Sequence, residues 1–148
     1  MSKYLILVLV LVAGLLQPVQ VAMNTKLEKT AHSPLLPVMI TFGCGALLAA
    51  LIWSSGIAGR GEPALLGQAP WWAWFTGPVG IVVLMMPLIA LPRSGAALVV
   101  AAMVLGQATS SLILDHYGWL DVKKIPISAW RVGGVAMILG GVLLMQKR

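Results

Sequence analysis

Five separate apolar stretches run through this chain, at 4–23, 35–57, 71–91, 95–114 and 127–145. Each approaches the ~20 residues a helix needs to cross ~30 Å of hydrocarbon. No water is available at that depth to satisfy exposed backbone, so a helix that bonds its own N–H and C=O groups is the simplest structure that fits. Soluble domains seldom carry five such runs in 148 residues. The expected fold class is therefore an all-α membrane protein with five transmembrane helices, forming a single domain over 1–148. Hydrophobic residues make up 59% of the chain and charged residues 9%, against ~25% charged in ordinary globular domains. That leaves no room for a soluble module.

Positive charge is shared evenly between the two sides that these spans define. An odd number of crossings puts the termini on opposite sides. Lys3, Arg60, Lys123, Lys124 and Arg131 fall on the N-terminal side, and Lys26, Lys29, Arg93, Lys147 and Arg148 on the other. Orientation follows the Lys/Arg excess on the cytoplasmic side. A tie specifies orientation poorly, so the chain can insert both ways up and pair with its own inverted copy. The alternative is a tie by chance, with the N-terminal bias deciding. The net charge of +6 sits at span ends and short loops, where it suits anionic headgroups rather than nucleic acid.

Lys3 followed by an apolar run resembles a signal peptide, but the run is too long and no small-residue cleavage site precedes Met23 or Asn24. It reads as a retained helix. Pro18 removes a backbone donor and is expected to kink it. The segment 24–34 reads as a short polar loop. Gly43, Gly45, Ala46, Ala49 and Ala50 give span two a small-residue surface for close helix approach. Trp71, Trp72 and Trp74 open span three as an aromatic belt, and Pro78 and Pro87 mark it as the span expected to bend. Only Pro92, Arg93 and Ser94 separate spans three and four, a tight antiparallel hairpin. Gly133 and Gly134 stand seven residues from Gly140 and Gly141 on one face of span five, a packing surface for a partner helix. The six tryptophans, Trp53, Trp119 and Trp130 among them, lie near span ends. They fit interface anchoring better than a cation-binding cage.

Amides and carboxylates at bilayer depth are costly and mark function by default. Gln17, Gln20 and Asn24 share one face of the second half of span one. Gln107, Ser110, Ser111 and Asp115 share one face of the second half of span four. Spans one and four run in opposite directions, so the two stripes meet at one depth only across an inverted second copy. They read either as a polar pathway or as hydrogen bonds that join helices. The candidate substrate-binding residues are Gln20, Asn24, Gln107, Ser111 and Asp115. Asp115 is the only carboxylate near a span, with Glu28, Glu62 and Asp121 in loops. It stands either at the mouth of a site or as a solvated end residue paired with Lys123 or Arg131. No phosphate loop, dinucleotide fingerprint, metalloprotease or nucleophile-elbow motif occurs. One cysteine, Cys44, excludes an intramolecular disulfide and suggests no redox chemistry. Catalytic residues, a metal and a cofactor are not expected, and the chain does not read as an enzyme.

The blocks APWWAWFTGPVG, GQATSSLILDHYGWL and SAWRVGGVAMILGGVLL, with Gln20 and Asn24 on span one, resemble the small YdcZ-type inner membrane proteins. These are a five-span branch of the drug/metabolite transporter superfamily. The resemblance covers nearly the whole chain. The recurring positions of that family fall here on Gln20, Asn24, Trp71, Trp72, Gly77, Gly80, Gly106, Gln107, Ser111, Asp115, His116, Gly118, Arg131 and Gly134. It implies the bacterial inner membrane, small-molecule transport, and a chain that is half of a ten-helix inverted-repeat transporter. Four-span multidrug relatives carry a glutamate in the middle of span one. Span one here has none there, which leaves that route of proton coupling unsupported.

The first function expected is a secondary exporter of a small neutral or cationic molecule. It would work by alternating access at the interface of an antiparallel homodimer in the lipid bilayer. The neutral or cationic preference follows from amides, hydroxyls and tryptophans, with no Lys or Arg inside a span except Arg131 at the start of span five. A passive dual-topology pore and a non-transporting scaffold or accessory subunit are the alternatives.

Overall fold

The structure, a computed structural model, describes residues 3–57, 59 and 61–147. Arg60 and Arg148, both in the charge tally, lie outside the described residues, as does the side chain of Lys3. Five helices follow one another: α1 (Lys3–Ala31), α2 (Leu35–Ser55), α3 (Thr76–Ser94), α4 (Ala96–Tyr117) and α5 (Ala129–Gln146). With the 3₁₀ turn Trp71–Phe75 leading into α3, all five are long and apolar enough to cross a membrane. No strand occurs among the described residues. The chain divides into two compact units, Met1–Ile89 and Ala90–Arg148.

In the first unit α1 runs past Met23 to Ala31, which corrects the reading of 24–34 as a loop. The segment NTKLEKTA is polar, but Lys, Leu, Glu and Ala are good helix formers. Thr25 and Thr30 fold their hydroxyls onto the carbonyls of Val21 and Lys26, each at 2.9 Å. The helix stops where His32 turns to φ 52° and Pro34 opens α2. With 29 residues at 1.5 Å each, α1 is about 43 Å long and outreaches the ~30 Å of hydrocarbon. Its last turns therefore reach the interface. Pro18 lies inside this helix.

Helix α1 packs on α2. The seam on α1 is Val21, Asn24 and Thr25, all buried, flanked by half-buried Gln17, Pro18 and Glu28; Pro37 and Val38 are buried on α2. Gly56 ends α2 in the left-handed conformation, its N–H donating to Trp53 O at 3.2 Å. Helix α3 approaches α2 closely at Gly80, where an added Cβ would come within 2.9 Å of Phe42 Cζ. An apolar groove of about 420 Å³ lies beside that contact, between Leu35, Val38, Met39, Phe42, Gly77, Pro78 and Ile81.

In the second unit a single residue, Gly95, separates α3 from α4. Its φ of 77° and ψ of 155° belong to a region essentially reserved for glycine. Helix α4 packs along α5. Gly118 (φ 68°) ends α4 and donates to Leu114 O at 2.8 Å. Leu120 and Asp121 then take φ of 58° and 60°, before an extended stretch returns to Ser128. The Ser128 hydroxyl accepts from Arg131 N and so caps α5.

Candidate functional site

The polar residues singled out from the sequence fall in both units. In the first, the Asn24 side chain is 5% exposed and faces α2, where its Oδ1 accepts from the Thr41 hydroxyl at 3.1 Å. Its Nδ2 is buried with no partner. Gln17 lies half-buried at the edge of this seam. Gln20 belongs to the same stripe by spacing, yet it points off the flank and is exposed, with no hydrogen-bond partner among the described residues.

The structure adds a residue that the sequence reading had placed in a loop. Glu28 is one helical turn beyond Asn24, on the same face of α1, and its Oε2 is buried without a partner. The register fixed by the Asn24–Thr41 bond sets Glu28 level with Pro37. Two complementary groups thus lie a turn apart at one end of the α1–α2 pair: an amide N–H with no acceptor and a carboxylate oxygen with no donor. The i+4 step from Asn24 was the available signal, hidden by the assumption that the helix had ended.

In the second unit Gln107 and Ser111 stand one turn apart on α4. Both are exposed, and neither side chain has a partner among the described residues. Gln107 lies eleven residues from Ala96, about 17 Å along the axis at 1.5 Å per residue and close to mid-bilayer. The neighbouring hydroxyls are satisfied within the helix, Ser110 donating to Gly106 O and Thr109 to Leu105 O, both at 2.8 Å. Gln107 and Ser111 therefore stand out as the groups on this face still in need of a partner.

Asp115 belongs to a folded connector. Its Oδ2 accepts from Arg131 Nη2 on α5, the Asp115 side chain being 20% and that of Arg131 33% exposed. Arg131 Nη1 also donates to Ile125 O at 3.2 Å, and Ile125 N donates to Asp115 O at 2.8 Å. His116 Nδ1 accepts from Ile127 N at 3.2 Å. The rings of Tyr117 and Trp119 stack at 5.1 Å. These bonds tie the α4–α5 connector onto the end of α4, and Lys123 and Lys124 remain exposed.

Among the described residues no group of His, Cys, Asp and Glu could hold a metal ion. Cys44 is free and exposed. The arrangement offers amides and hydroxyls along the helices, with the carboxylates of Glu28 and Asp115 near helix ends.

A family model described as "Putative inner membrane exporter, YdcZ" matches residues 5–144. Searches of curated proteins and of solved structures returned no match.

Proposed function

Because the chain belongs to the YdcZ-type family of inner membrane exporters, and is a multi-pass protein of that membrane, we propose that it is a secondary exporter of a small neutral or cationic molecule. It works by alternating access, as an antiparallel pair of identical copies. The family and the helical fold point to transport rather than catalysis.

One observation carries the reading. Gln107 near the middle of a membrane-crossing helix and Ser111 one turn beyond it are exposed, and neither side chain has a partner among the described residues. An amide turned to lipid without a hydrogen bond costs several kcal/mol by order of magnitude. These groups therefore face water, substrate or another protein surface. The glycines of α5 support a further surface: a Cβ at Gly133, Gly134, Gly140 or Gly141 would meet nothing within 4 Å, which leaves that face open to a second helix. The balanced Lys/Arg distribution favours a second copy in inverted orientation. Inversion brings the α1 stripe of one copy to the depth of the α4 stripe of the other, the arrangement of inverted-repeat transporters with a midplane site.

Flux in proteoliposomes tests this. A panel of amines, guanidinium compounds and neutral metabolites should reveal saturable transport. Gln107→Leu and Gln20→Leu should insert and assemble normally yet lose it. Transport at the wild-type rate in both variants would mean that the site lies elsewhere. Failure of both to assemble would make the stripes helix-joining bonds. Flux that does not saturate and ignores ion gradients would favour a passive pore.

A further inference from the structure

We propose that Asn24 and Glu28 form a binding site for a primary ammonium group that carries a neighbouring hydroxyl or carbonyl oxygen, a claim that rests on the exporter reading and narrows its substrate class. Buried polar groups in folded proteins are nearly always hydrogen-bonded. Here two are not, and they lie on adjacent turns of one helix face: Asn24 Nδ2 and Glu28 Oε2. Asn24 is more than nine-tenths buried and already spends its oxygen on Thr41.

No counter-charge pairs with Glu28 among the described residues, and His32, one turn further on, is exposed. Lys26 and Lys29, its basic neighbours on α1, are both exposed, and α2 contains no basic residue. A half-buried carboxylate with one oxygen enclosed and unpartnered selects a cation. The amide N–H beside it selects an acceptor on the same molecule. Side chains four residues apart have Cβ atoms ~6 Å apart, so a ligand that meets both groups carries its ammonium and its oxygen on one short carbon chain. Both atoms are enclosed by the chain, and the Thr41–Asn24 bond crosses the seam beside them. The ligand reaches them when α1 and α2 part there, a movement of the kind that alternating access requires.

The probe is 2-aminoethanol, with ethylamine as the analogue that lacks the oxygen, titrated into the purified full chain in lipid nanodiscs. The wild type should bind 2-aminoethanol saturably, and ethylamine about fivefold more weakly. Glu28→Gln keeps the size and helix preference of the side chain and should weaken 2-aminoethanol binding about tenfold or more. Asn24→Ala should abolish the difference between the two amines. If Glu28→Gln does not fold, as judged by circular dichroism and size exclusion, loss of that discrimination in Asn24→Ala decides the matter. No saturable binding by the wild type, or wild-type affinity in Glu28→Gln, overturns the proposal. Binding that depends on Glu28 without flux of any compound would sink the exporter reading alone. Saturable flux of other compounds with no amine binding would sink this inference alone.

Discussion

Replacing Arg131 with Met should loosen the α4–α5 connector at identifiable amides. Arg131 holds Asp115 and, through Nη1, the Ile125 carbonyl at 3.2 Å. A charge-assisted hydrogen bond is worth ~1.5–3 kcal/mol and a bond to a neutral acceptor ~1. Removing one partner of a fully buried ion pair costs ~3–5 kcal/mol. This pair is 20% and 33% exposed, so solvent screens it and the lower end applies. The connector should lose about 2 kcal/mol, about thirtyfold in its opening equilibrium. Hydrogen exchange reads this directly, because Ile125 N donates to Asp115 O and Ile127 N to His116 Nδ1. Both amides should exchange about thirtyfold faster in Arg131→Met. Amides in the middle of α1 should not change. The double variant Asp115→Leu/Arg131→Met should lose less than the sum of the single changes, because no unpaired charge is left. Unchanged exchange at Ile125 in Arg131→Met would refute the argument, and Asp115 would be free to serve elsewhere.

Other substitutions test other joints. Gly118→Val places a branched side chain at φ 68°, with its Cβ 3.4 Å from that of Lys124, and should cost ~1–3 kcal/mol, seen as a lower unfolding temperature in detergent. Thr41→Val removes the hydroxyl that bonds Asn24 and should lower stability by ~1–3 kcal/mol by stranding a buried amide oxygen. Gly80→Leu drives into the Phe42 ring and should cost ~1–3 kcal/mol by overpacking. Gly43→Ala, inside α2 where an added Cβ meets nothing within 4 Å, should raise the monomer's stability by ~0.5–1 kcal/mol.

The five spans were legible because lipid imposes a length and a composition that few other structures satisfy. The ends were less so. Polarity at 24–31 resembled a loop, yet no Gly or Pro interrupts it before Pro34, and the interface tolerates polar side chains on a helix that outreaches the hydrocarbon. That one misplaced boundary hid Glu28. Periodicity grouped Gln20 with Asn24 but could not say that Asn24 alone is buried against α2. That choice depends on the crossing of two helices, which spacing within one helix does not encode. The Asp115–Arg131 pair was foreseeable from charge and proximity to span ends. The left-handed Leu120 and Asp121 were not, since L-residues ordinarily avoid that conformation and take it here where tertiary bonds hold the connector in place.

Two-sided labelling tests the inverted pair most directly. A Lys147→Cys variant in a Cys44→Ser background carries its single thiol at the end of α5, where Lys147 is exposed. Membrane-impermeant maleimide should be applied to sealed vesicles of known orientation. The account predicts about half of the thiols labelled from each side, as the tied Lys/Arg distribution requires. Labelling from one side alone would contradict it, because the α4 stripe of one copy and the α1 stripe of its twin could then never share a depth.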